Sequence, residues 1–202
     1  MKCIFVRHGN TFETGQQPVW IGARTDLPLT ETARRQAQMV GKWCVDHHLH
    51  PKAIIAGPLR RTRETAEIIQ TYTSGELIVF EEMREIDYGL WEGLSSAEIE
   101  LSYGASTLKA WEADATWPPN AGWPQQEQTV TRAILDLMNG LDRFGTDADV
   151  VLCTSNGILK TLSKHLIFAE RPASLGVRTG HLCMVEKQGT SWRVLAWNFA
   201  PG

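Results

Sequence analysis

Val6-Arg7-His8-Gly9-Asn10-Thr11 sits directly behind Cys3-Ile4-Phe5-Val6, a short apolar run with the character of a buried strand. An arginine and a histidine thus arrive together at a strand-to-loop corner. In open α/β sheets ligands bind beyond the carboxyl ends of parallel strands, so this corner is the first place to look for chemistry. Gly9 is expected to let the backbone turn sharply there and come close to a ligand.

Working outward, the order strand, polar loop, helix recurs. Leu27-Pro28-Leu29-Thr30 leads into a helix from about Glu31 to Asp46, with Thr30 as N-cap and Ala33, Ala37, Val40, Gly41 and Cys44 on one face. His47, His48 and His50 cluster at its exit, where the helix dipole favours them; no carboxylate or cysteine completes a metal-ligand pattern. Lys52-Ala53-Ile54-Ile55-Ala56 reads as a second strand, Gly57-Pro58 as a helix start with proline in the first turn, and Leu59 to Gln70 as the helix. Leu77-Ile78-Val79-Phe80 is a third strand. From Gln128 to Leu141 the positions Val130, Ala133, Ile134, Leu137, Met138 and Leu141 keep helical spacing up to Asn139-Gly140. Asp149 to Cys153 is a fourth strand, after which Thr154-Ser155-Asn156-Gly157 opens a helix with Ile158, Leu159, Leu162 and Leu166 inward. His181 to Glu186 and Trp192 to Trp197, around Gln188-Gly189, read as a closing hairpin. Between these blocks Ser95 to Gln128, rich in Trp and Pro, lacks a period and reads as an irregular insertion or lid over the site. The expected architecture is one domain over residues 1–202. It is a three-layer α/β/α sandwich with a mostly parallel central sheet, a lid at about 95–128 and a C-terminal β-hairpin.

A chain of 202 residues with 43% hydrophobic content suits one domain with a sizeable core. A net charge of -3 provides no basic field, so neither a nucleic-acid nor an anionic-membrane partner is expected. Cys3, Cys44, Cys153 and Cys183 form no C-x-x-C pair and read as reduced, structural thiols. With no signal-like segment and no membrane-length apolar run, a cytoplasmic location is expected.

Four groups of residues fall just past strand ends: Arg7 and His8; Arg61; the carboxylates Glu81, Glu82, Glu85 and Asp87; and Thr154 to Asn156. Arg60 and Arg63 have Glu64 and Glu67 four residues on and read as a solvated helix face. Arg61 has Thr65 at that spacing. It is therefore the arginine aimed at an anion, beside the free N–H groups of the helix end. One carboxylate is a candidate general acid, and the residues alone do not choose among the four. Together these groups suit phosphoryl transfer: an imidazole to attack phosphorus, guanidinium groups to hold the equatorial oxygens, and an acid to protonate the leaving oxygen. Arg7 beside His8 also disfavours the imidazolium.

The chain resembles the histidine phosphatase superfamily, in the branch of cofactor-dependent phosphoglycerate mutases and small phosphomonoesterases. Arg7-His8-Gly9-Asn10-Thr11 is similar to its R-H-G-x-[ST] signature, and Asp26-Leu27-Pro28-Leu29-Thr30 to its D-x-P-L-T segment. Pro58 to Ala66 resembles the P-L-x-R-x-x-x-T-A helix, and Arg84 to Gly93 the R-E-x-x-x-G-x-W-E-G block. The resemblance implies a phosphohistidine at His8, phosphoryl binding by Arg7 and Arg61, and proton transfer by Glu85, with Asn10 and Gly22 lining the pocket. It departs where a second histidine belongs: Ser155 or, one frame on, Asn156 stands there. Thr14 replaces a common asparagine and Gly57 a common serine. Losing one preorganised donor costs a factor of about a hundred to a thousand in rate unless another fills its place. Ser155, Asn156 and, from the next strand, His181 are the expected substitutes. The resulting expectation is a phosphomonoester hydrolase acting on a small phosphorylated metabolite, with no metal or cofactor because the arginines supply the charge. The alternatives are a mutase and a phosphate-ligand binding protein. From Trp91 to Thr131 the one basic residue is Lys109, which favours hydrolysis over a mutase's doubly phosphorylated intermediate.

Overall fold

In the computed structural model, which describes residues 1–202, the quoted corner ends the strand β1 (Lys2–Arg7). β1 lies inside a six-stranded sheet with β2 (Ala53–Ala56), β3 (Glu76–Val79), β4 (Asp149–Thr154), β5 (Leu182–Gln188) and β6 (Ser191–Phe199). The order is β3-β2-β4-β1-β5-β6. The first four strands run parallel, while β5 pairs antiparallel with β1 and β6 with β5, so the hairpin is part of the sheet and closes its far side. The structure has this mixed α/β sheet with helices on both faces, as the strand–loop–helix repeat predicts.

The alternation of β1 explains the layers. Successive strand side chains point to opposite faces. Ile4 and Val6 join a core with Val40 and Trp43 of α1 (Glu31–Asp46) and Ala66 and Ile69 of α2 (Arg60–Gln70). Cys3 and Phe5 face a second, larger core with Ile134 and Met138 of α5 (Glu127–Gly140) and Ile158 and Leu162 of α6 (Asn156–Ser163). Each fully buried Ile or Phe contributes about 1.5–3 kcal/mol, and all six central-strand positions from Cys3 to Val6 and Ile54 to Ile55 are at most 1% exposed. The four cysteines are unpaired and buried, and burial pushes the Cys44 thiol up to about 11.

Two expectations change. Ser95 to Gln128 is not irregular throughout: it holds α3 (Ser96–Tyr103) and α4 (Ala105–Asp114). α3 starts with a capping box in which Ser95 and Glu98 bond each other's backbone N–H. Proline 58 does not lie within the first turn of α2. That helix starts at Arg60 behind an uncapped Leu59, and Asp26 Oδ1 takes the Arg60 N–H at 2.6 Å instead. No helix is long and apolar enough to cross a membrane.

Candidate active site

The carboxyl ends of β1 and β4, with the loop after β3, converge on a cavity of about 590 Å³. Its walls include Arg7, His8, Asn10, Thr14, Glu85 and Asn156 among the sequence-based candidates. Arg61, Gly22, Ser155 and His181 are not in the wall.

His8 is 6% exposed and its backbone N–H donates to Thr154 O of β4 at 3.0 Å, which ties the corner to the neighbouring strand. Its Nδ1–H donates to the Gly9 carbonyl at 2.8 Å, leaving the lone pair on Nε2. Burial holds the imidazole well below its ordinary pKa, reinforced by Arg61 and then Arg7. Neutrality was expected from Arg7; desolvation is the larger cause. Gly9 is required for a different reason from the expected turn, since a Cβ there would stand 2.5 Å from the Ala33 Cβ of α1. The corner packs directly on that helix.

Arg7 and Arg61 are cations held only by main-chain carbonyls. The Arg7 guanidinium donates to Val177 O, and Arg61, with no exposure, donates to Thr25 O at 2.7 Å and Gly22 O at 3.1 Å. Neither makes an ion pair, and the Nε of each is buried without a partner. Arg60 does pair with Glu64 at 3.3 Å, although Glu64 is shared with Arg34 at 2.7 Å, and Arg63 forms no pair with Glu67. Gly22 thus serves through its carbonyl behind the wall.

Glu85 is 4% exposed; its carboxyl accepts from its neighbour Ile86 N–H at 2.9 Å and from Gly157 N–H of α6 at 3.2 Å. Burial raises its pKa, against the lowering pull of Arg61, the two N–H groups and Arg7. Of the four carboxylates left open by the sequence, Glu85 is the buried one; Glu81 and Glu82 are exposed, and Asp87 Oδ1 accepts from the Gly89 N–H. Tyr88, which the sequence did not single out, lies against Glu85. Gly157 permits this packing: a Cβ would stand 2.5 Å from both Glu85 Oε1 and the Tyr88 hydroxyl.

The expected replacements for a second histidine are distributed differently. Asn156 lines the cavity, but its Oδ1 accepts from Val177 N–H at 3.0 Å, so it braces the residue whose carbonyl holds Arg7. Ser155 is fully buried with an unpartnered Oγ, as is Thr154 Oγ1 beside it. His181 Nδ1 donates to Asn198 O at 3.1 Å and lies outside the cavity wall. The helix N-termini are also occupied: Asp26 takes an N–H of α2 and Glu85 one of α6. Lys160 of α6 lines the cavity as well; the signal that marks it is its place four residues beyond Asn156, as the one cation of that helix.

An α/β sheet with an arginine–histidine pair and a buried acid at its carboxyl edge is the architecture of a phosphatase class, and the chain belongs to the histidine phosphatase superfamily, branch 1, whose family model matches residues 3–200. Among its relatives is glucosyl-3-phosphoglycerate phosphatase of Mycobacterium tuberculosis, 27% identical over 215 aligned residues that cover 100% of this chain and 87% of the relative. A 2,3-bisphosphoglycerate-dependent phosphoglycerate mutase of Cytophaga hutchinsonii is 30% identical over 88% of this chain and 83% of its own. The solved structure of a mycobacterial glucosyl-3-phosphoglycerate phosphatase with VO3 superposes with a TM-score of 0.80 at 26% identity, covering 98% of this chain and 99% of that one.

Proposed function

We propose that the protein hydrolyses small phosphomonoesters through a phosphohistidine on His8. The observation that carries the reading is the cluster of buried polar atoms without partners around His8: Arg7 Nε, Arg61 Nε, Thr154 Oγ1 and Ser155 Oγ. An unsatisfied buried polar group costs about 1–3 kcal/mol; Arg7 lines the cavity while the other three lie outside its wall, and together they support a ligand held at the His8 corner. Two are on guanidinium groups lacking a carboxylate partner, which makes that ligand an anion with several oxygens.

In the first step the neutral Nε2 of His8 attacks phosphorus while Arg7 and Arg61 stabilise the equatorial oxygens. The P–O ester bond breaks, and Glu85, whose protonated form burial favours, gives its proton to the leaving alkoxide. In the second step the Glu85 carboxylate takes a proton from water, whose oxygen attacks the phosphohistidine and releases inorganic phosphate. The two guanidinium groups supply the charge that a metal brings in other phosphatases, so none is assigned. A screen of phosphomonoesters with the intact protein and His8→Ala tests the reading. Phosphate release by the intact protein and none by the variant supports it; equal release by both contradicts it.

A further inference from the structure

Lys160 is the charged residue of the cavity that this mechanism leaves unused. It is 3% exposed and makes no ion pair. Its ammonium donates to Trp111 O at 3.3 Å and Glu112 O at 3.2 Å, among the last carbonyls of α4, and sits 5.3 Å from the Trp111 ring centroid. A helix C-terminus suits a cation, which explains two of the three N–H groups. The third has no acceptor on the chain, although taking an ammonium out of water costs several kcal/mol when it is not compensated.

The charges that act most on His8 are those of Arg61 and Arg7. The groups that face Lys160 are Glu112 of α4, Arg7 at the end of β1 and Glu85 of the loop after β3. Lys160 therefore lines the same cavity as Arg7 and Glu85, beside the insertion residues Ser96 and Glu112. We propose that Lys160 binds a second anionic group on the alcohol portion of the substrate, a carboxylate or a phosphate near the ester oxygen, and so selects phosphomonoesters of acidic alcohols. This rests on the reading of His8 and Glu85 as the hydrolytic pair.

The test compares matched esters. 3-Phosphoglycerate differs from glycerol 3-phosphate by a carboxylate, and fructose 1,6-bisphosphate from fructose 6-phosphate by a phosphate. A hydrogen bond to a charged group is worth about tenfold to a hundredfold in binding, so kcat/KM in the intact protein should favour the anionic member of at least one pair by about that factor. The pair showing the preference identifies the anion as carboxylate or phosphate. In Lys160→Met the ratio should collapse towards one, and in Lys160→Arg it should persist. A purely structural cap on α4 would instead lower kcat/KM for both members alike. If Lys160→Met fails to fold, the ratio of the intact protein across pH decides: burial lowers Lys160 to about 8, so the preference should fade as pH rises through that value and should not fade in Lys160→Arg. Ratios near one in the intact protein, or a ratio unchanged in folded Lys160→Met, overturn the inference while leaving the hydrolase reading intact. No release from these four esters or from p-nitrophenyl phosphate overturns both.

Discussion

At the level of single residues, burial acts on the two groups in opposite directions. The same removal from water pushes His8 towards its neutral form and Glu85 towards its protonated form, one pKa lowered and the other raised. The acid is active below its raised pKa, so kcat/KM should fall as pH rises through that value. Burial lowers the imidazole pKa, the opposite direction to Glu85. Glu85→Gln should lower kcat by about a hundredfold to ten-thousandfold and remove the alkaline limb assigned to Glu85, read from pH–rate profiles of both proteins. An unchanged profile would exclude Glu85 as the donor. Ser155 shows what a close reading of the sequence misses: the substitution for histidine was visible, but not that its hydroxyl would be buried without a partner while Asn156 braces Val177. Both follow from long-range packing, which has no local signal.

Among the elements, α6 carries the most function for its length, because it delivers Gly157 to Glu85, Asn156 to Val177 and Lys160 to the cavity. Alanine is normally better than glycine in a helix by about 1 kcal/mol. Here Gly157→Ala drives a Cβ to 2.5 Å from Glu85 Oε1, and a displacement of about 1 Å at a reacting group costs on the order of a hundredfold. The variant should lose kcat by tens-fold or more; retention of full activity would show that Glu85 moves without consequence. α1 was legible to the residue because Thr30 caps it and its apolar face is periodic. α3 and α4 were not, since the first buries only Ile99 and the second only Leu108 and Trp111, too few for a period. The Ser95–Glu98 capping box was the available signal. Ser95→Ala should cost about 1 kcal/mol in chemical denaturation with the Glu85-dependent pH profile unchanged.

Over the whole molecule, the sheet and the insertion divide the labour. The sheet brings His8, Arg61, Glu85 and Asn156 from four separate strand ends to one edge, which is why sequence blocks far apart could be read together as one site. Trp111 and Trp123 of the insertion pack edge-to-face with Tyr88, Trp20 packs on Tyr88 and Trp91, and Trp91 and Trp111 are at most 1% exposed, so they form an apolar plug and only Trp20 of this group besides Tyr88 reaches the cavity. Trp91→Ala should destabilise the fold by about 3–5 kcal/mol in denaturant titration; a loss below about 1 kcal/mol would mean the plug is dispensable. The central claim, a covalent phosphoryl group on His8, is tested most directly by rapid acid-free quenching of the protein with a radiolabelled phosphomonoester, followed by peptide mapping. The account predicts acid-labile, base-stable label on the peptide carrying His8 and none in His8→Ala. Label that persists in His8→Ala, or turnover with no labelled protein at any quench time, would contradict it.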